Sequence, residues 1–131
     1  AGDDTNIGLE FSTKGTGLIK FDNAAYNNEV ALTDGATVNW AVNTYNVAKV
    51  TLGGNRTIAA PSGGATGQFV SLLIIQDGTG SRTVTWNEVY EFTGDSAPTL
   101  TTTANKGDLF IFRYNGTKWL EVGRNLNLTL S

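Results

Sequence analysis

Apolar residues in this chain recur at every second position over short runs, and nowhere do they hold helical spacing over the ~11 residues that a helix usually takes. The runs are Val30 with Leu32, then Val38, Trp40 and Val42, then Val47 to Leu52, Arg56 to Ala59, Phe69 to Gln76, Thr83 to Trp86, Leu109 to Tyr114, Lys118 to Val122 and Leu126 to Leu130. Between them stand Thr33-Asp34-Gly35, Gly53-Gly54-Asn55, Pro61-Ser62-Gly63-Gly64, Asp77-Gly78-Thr79-Gly80-Ser81 and Asn115-Gly116. These residues bend a chain for different reasons: Gly and Asn tolerate positive φ, Asp and Ser bond to nearby amides, and Pro has no N–H to give a ladder. Roughly ten short strands follow from this punctuation, so the chain is predicted to be all-β, a β-sandwich or jelly-roll-like fold. Phe69 to Gln76 is apolar on both alternating sets, which predicts a central strand. Asn115-Gly116 is the pair favoured where a two-residue hairpin turn needs positive φ.

The 131 residues suffice for one core and not for two. Ahead of the main run of strands, Ile7, Leu9 and Phe11 alternate, a Ser-Thr-Lys-Gly-Thr-Gly turn follows, and Leu18, Ile19 and Phe21 return. That pattern predicts an N-terminal β-hairpin, and a lone hairpin cannot bury its own apolar face. The expected organisation is an arm over residues 1–28, used for oligomerisation, and a β-sandwich domain over 29–131. Candidate oligomer contacts are Ile7, Leu9, Phe11, Leu18, Ile19 and Phe21 in the arm. Leu126, Leu128 and Leu130 join them, on a terminal strand expected to add to a sheet of this chain or a neighbour. Asp22 to Asn28 reads as a polar loop. No Met is present, even at position 1, which fits either loss of the initiator or a piece of a longer protein.

Charge and residue usage narrow the chemistry. A net charge of -3 with nine scattered basic residues does not offer the clustered Lys and Arg that nucleic-acid phosphates require. The longest apolar run, Leu72 to Ile75 with Phe69 and Val70 just before it, is far below the ~20 residues that span a bilayer as a helix, so no membrane insertion is expected. With neither His nor Cys, the usual general base, the imidazole ligand and the thiolate are all missing. The abundant Ser and Thr therefore have no ordinary activating base. Asp77, Glu88, Glu91, Asp95 and Asp108 could be weighed as a glycosidase pair, but Asp77 and Asp95 stand in turns where Asp bonds backbone amides. Asp3, Asp4, Asp34 and Asp77 lack the spacing of a calcium loop, and Gly63-Gly64-Ala65-Thr66-Gly67 lacks the Lys-Ser/Thr ending of a phosphate loop. The chain is expected to be no enzyme, with no catalytic residue, cofactor or metal. Of the aromatic residues, Trp40 and Trp119 sit in alternating strands and belong to packing. Tyr45 and Tyr90 lie near turns and, with Asp95, are the candidate ligand contacts.

Val50-Thr51-Leu52-Gly53-Gly54-Asn55-Arg56-Thr57-Ile58-Ala59-Ala60-Pro61, followed by Gln76-Asp77-Gly78-Thr79-Gly80-Ser81-Arg82-Thr83-Val84-Thr85-Trp86, resembles a β-domain of phage tail and virion proteins. Phe112-Arg113-Tyr114-Asn115-Gly116-Thr117-Lys118-Trp119 is similar to that domain's last hairpin, and together the motifs cover residues 36 to 123. The Lys14-Gly15-Thr16-Gly17 turn is similar to a pattern of trimeric phage fibre shafts. Two departures touch turn geometry: Thr13 where that pattern usually has Pro before the Lys, and Asn87 where Pro commonly follows the Trp.

The resemblance implies a structural virion protein placed as a capsid decoration, head fibre or tail fibre, built by assembly on the particle surface. Its expected partners are copies of itself, as a homotrimer, and other virion proteins. The alternative it implies is a receptor- or carbohydrate-binding module that contacts a host-surface glycan.

Overall fold

The structure is a computed structural model that describes residues 9–131; Ile7, Asp3 and Asp4 lie outside them. Nine strands are present among the described residues: β1 (Glu29–Ala31), β2 (Thr37–Val38), β3 (Val47–Leu52), β4 (Arg56–Ile58), β5 (Phe69–Gln76), β6 (Val84–Trp86), β7 (Tyr90–Glu91), β8 (Lys106–Tyr114) and β9 (Trp119–Thr129). A single 3-10 turn, Thr93–Asp95, completes the regular structure. The strands form two sheets, one of six in the order β1-β3-β5-β8-β9-β7 and one of three in the order β2-β4-β6.

The all-β expectation and the two-layer arrangement both hold. The connectivity from β1 to β6, however, is parallel winding, and antiparallel pairing begins only where β8 joins β5. β1, β3 and β5 pair in parallel on one sheet, while β2, β4 and β6 pair in parallel on the other. The turns at Asp34-Gly35, Gly53-Gly54-Asn55 and Asp77 to Ser81 are thus corners that pass the chain from the first sheet to the second. Three successive windings stack so that Val30 registers with Ala48 and Ala48 with Leu72. A further parallel bridge joins Ala41 to Ser62 on the return path. Parallel strands need such a crossover, and here it is short because it runs through the facing sheet.

Burial alternates along the central strands as a two-layer core requires. Ala48, Val50 and Leu52 of β3, Val70, Leu72 and Ile74 of β5, and Phe110 and Phe112 of β8 point inward, meeting Val38 of β2 and Ile58 of β4. β5 lies between β3 and β8, so the central position predicted for it is the one it occupies. Its outward set, Phe69, Leu73 and Ile75, is only partly covered. Fully burying one such side chain contributes about 1.5–3 kcal/mol, so the inward stack dominates the stability of the windings.

The last winding is closed by aromatic packing. The Trp86 ring lies 5.1–6.0 Å from the rings of Tyr90, Phe92, Phe110 and Phe112 in edge-on arrangements. Its indole nitrogen is buried without a nitrogen or oxygen partner among the described residues. Among four π faces, the weaker N–H···π contact is the compensation available to it. β8 and β9 then run antiparallel across the end, with β-bulges between Gly107 and Leu109 and between Ile111 and Phe112. These bulges twist β9, whose outer edge pairs with β7 only at Trp119 and Leu120, and so blunt an otherwise open edge.

The predicted two-residue turn at Asn115-Gly116 is replaced by a longer loop. Tyr114 pairs with Trp119, and only Gly116 takes positive φ, at 96°. The Asn115 carboxamide oxygen instead accepts the N–H groups of Thr117 and Lys118, which makes this an Asx turn.

Residues 9–28 depart from the hairpin expected of them. The turn forms at Lys14 to Thr16, where Gly15 takes positive φ and the Thr13 hydroxyl donates to the Gly17 carbonyl at 2.7 Å. No strand flanks it within the described residues. Nothing among the described residues covers the apolar side chains that such a ladder would present.

Candidate functional site

The carboxylates weighed for chemistry hold the corners together. The Asp34 carboxylate accepts two bonds from the Arg56 guanidinium, at 2.7 and 2.9 Å, and one from the Gly53 N–H at 3.2 Å, which ties the first corner to the second. The Arg56 hydrogen bond holds the Asp34 carboxyl below its ordinary range. At the third corner Asp77 accepts from the Arg82 guanidinium and from the N–H groups of Thr79 and Gly80, and the Arg82 contact leads in lowering it to about 2. Asn55 joins second and third corners by accepting the Thr83 N–H. The Gln76 side chain, buried at the head of the third corner, exchanges two hydrogen bonds with the Arg82 backbone.

Asp108 is buried and accepts the N–H groups of Thr101 and Asn127 at 2.7 and 2.9 Å, fixing the β9 bulge. Burial raises Glu121, but the Arg124 guanidinium and the Thr93 N–H outweigh it, leaving the carboxyl lowered. Asp95 stands exposed in the 3-10 turn at positive φ. No group of three acidic residues among the described ones is placed to share a metal ion.

Tyr90, expected to be exposed, is only 5% exposed. Its ring belongs to the Trp86 cluster, its hydroxyl donates to the Ala59 carbonyl at 3.1 Å, and burial pushes its phenol well up. Nearness to a turn was the signal for exposure; the aromatic cluster overrode it. Tyr45 is half-exposed and stands elsewhere, in a cleft of about 330 Å³ lined by Tyr26, Asn27, Asn28, Thr44, Tyr45 and Asn46. Its backbone is pinned beneath, since the Trp40 indole N–H donates to the Tyr45 carbonyl at 2.9 Å. The structure does not bring Tyr45, Tyr90 and Asp95 together; it sets Tyr45 with Thr44 and Asn46 against Tyr26, Asn27 and Asn28 of the polar loop.

The second candidate surface is apolar. Leu9, Phe11, Leu18, Ile19, Phe21 and Tyr26 are all exposed, Leu18 at 91%, and every residue from 9 to 28 lies at the surface. On the outward face of the six-stranded sheet, Leu73 registers with Leu109, and Ile111 lies opposite Ser71. All but Ser71 are half-buried apolar side chains, and the exposed Phe69 extends the patch. Leu130 reaches the same face, where it and Leu73 close over Gly107. Of the terminal leucines, Leu126 and Leu130 are exposed and Leu128 is half-buried.

A family model described as "Putative phage tail fibre C-terminal domain" matches residues 36–119. The match runs from β2 through β8 to the first residue of β9, and leaves the arm, β1 and the rest of β9 outside. No curated protein matches the chain.

Proposed function

This chain belongs to the family of phage tail fibre C-terminal domains, and from that premise we propose that it is a structural module of the tail that assembles with copies of itself as a homotrimer. The observation that carries the assembly is the arm: residues 9–28 form no strand and bury nothing, yet present six large apolar or aromatic side chains. Contiguous exposed apolar surface of this kind marks an interaction site. The outward β5–β8 face supplies a receiving surface of the same character. Three copies around an axis would cover both features at once, since a rotational assembly that closes leaves no unsatisfied patch. Other virion proteins are then partners at the ends of the assembly. A place on the tail, as against the capsid surface or a head fibre, is what the family match supports.

The test is a charge placed on the arm. Phe11→Asp with Phe21→Asp alters two exposed side chains, at 66% and 68%, and so should leave the windings folded. The variant should sediment as a monomer with unchanged circular dichroism, whereas an oligomer of the original mass would refute the role of the arm. A second reading, receptor contact through a host-surface glycan, is favoured by one observation, the uncharged cleft beside Tyr45.

A further inference from the structure

We propose that the arm is one more winding of the coil, left unstacked in the single chain, and that it adds in parallel to the open edges of β1 and β2 of a second copy. The inference rests on the assembly reading and names the surface that receives the arm.

The coil has an open end. β1 and β2 stand at the margins of their sheets, and among the described residues each pairs on one side only, with β3 and with β4. The other side of each presents extended backbone to which a further strand can hydrogen-bond. Val30 and Leu32, which pack against the core at this end, are only half-buried. Such an end fits what the coil is built from: a strand, a corner and a second strand.

The arm has that make-up, and it has it in register. Successive windings at this end are spaced 18 residues from Glu29 to Val47 and 20 from Thr37 to Thr57. A spacing of 19 is already present where the arm leaves the coil, since the Asn46 side chain donates to that of Asn27 at 3.4 Å, and Tyr26-Asn27 repeats Tyr45-Asn46. Carried back along the chain, the same spacing sets Phe11 on Val30, Ile19 on Val38 and Phe21 on Trp40, three apolar side chains on three that pack into the core. It sets Leu18 on Thr37 and Lys20 on Asn39, exposed positions on exposed positions, and lays the Lys14 to Thr16 turn over the corner at Thr33 to Gly35. A slip of one residue would invert every one of these strand pairings. One spacing thus satisfies both strands, the turn and the contact already made.

The occupant is a second copy because the chain leaves its own end. Asn27 is seated on Asn46, yet Phe21, Ile19 and Leu18 are 68%, 50% and 91% exposed. Each copy therefore carries an uncovered strand, turn and strand together with an end that fits them. Exchange of one element between identical copies satisfies both through contacts that the fold already uses. Residues 22–26, which connect Phe21 to Asn27, reach at most ~17 Å. The receiving end hence lies beside the donating one, an arrangement that rotation about a common axis repeats until it closes. The outward β5–β8 face is then covered by the sides of neighbouring coils.

The chain has no cysteine, so a disulfide can be placed at the proposed register alone. The full chain carrying Lys20→Cys with Asn39→Cys is oxidised and run on a non-reducing gel, beside the molar mass of the unmodified chain by light scattering. More than half of the protein should run as a covalent trimer that reduction returns to single chains. Leu18→Cys with Thr37→Cys, a second pair of exposed positions, should give the same product. Lys20→Cys with Thr57→Cys, one strand deeper on β4, should give about a tenfold lower yield. A monomeric unmodified chain would overturn the assembly reading and this inference with it. A trimer whose paired cysteines stay reduced, close within one chain, or link equally well through Thr57→Cys would overturn the docking of the arm and leave the assembly standing.

Discussion

Leu72→Ala puts the two-layer core to a quantitative test. Leu72 is fully buried in β5 and registers between Ala48 of β3 and Phe110 of β8. One of its neighbours is already alanine, and Phe110 is fixed in the Trp86 cluster, so the site has little means to collapse around the missing atoms. Leucine-to-alanine changes at such sites cost about 3–5 kcal/mol. Small domains have total stabilities of about 5–15 kcal/mol, so this is a large share. With a urea slope of about 2 kcal/mol/M, the midpoint should fall by roughly 1.5–2.5 M with the slope unchanged. The matched control is Leu73→Ala, one residue along and on the outward, half-buried face. In dilute protein its loss should be about 1 kcal/mol, and it should grow with protein concentration as the outward face becomes covered by a second copy. Equal losses at the two positions in dilute protein, or a larger one at Leu73, would refute the inward assignment of Leu72.

Gly80→Ala should destabilise by more than about 2 kcal/mol, read as a fall in the thermal midpoint, because Gly80 takes φ of 74° and an added Cβ would lie 2.5 Å from the Thr102 carbonyl oxygen. Gly78→Ala in the same corner meets nothing within 4 Å and should be close to neutral. Asp108→Ala leaves the Thr101 and Asn127 N–H groups without their acceptor and should cost about 2–4 kcal/mol by urea titration. Asp77, lowered from 3.8 to about 2, stabilises the fold fully above its unfolded value, and that contribution is lost as pH falls through the folded one. Asp77→Asn should therefore flatten the acid limb of the thermal midpoint between pH 4 and pH 2 relative to the parent, and an unchanged limb would contradict the Arg82 contact.

Alternation and turn chemistry are local properties, and they made the strands legible. Phe69 to Gln76 shows its central place in its own composition, because both faces are apolar. The parallel stacking was not legible in the same way. What makes Asp34 meet Arg56, or Val47 meet Ser71, is a register across a whole winding, and no local period carries that information. The Asp-Gly-Thr-Gly-Ser-Arg segment reads as a turn in sequence. Its identity is explained only by what it packs on, with Gly80 pressed against the backbone at Thr102 and Ala104 and the Ser81 N–H donating to Thr102. Tyr90 beside a turn and Tyr45 beside a turn look alike until the Trp86 cluster claims one of them. Tyr26, Asn27 and Asn28 carry no strand alternation; only the fold sets them against Thr44 to Asn46. The arm is the opposite case, since its apolar alternation was visible while no strand forms from it among the described residues.

Assembly through that arm is tested most directly by the molar mass in solution, measured by light scattering during size exclusion on the full chain and on the chain lacking residues 1–21. Three times the 13.9 kDa chain mass for the full chain, falling to a single chain on truncation, is the predicted result. A monomer in both forms, or an oligomer that survives the truncation, would contradict it.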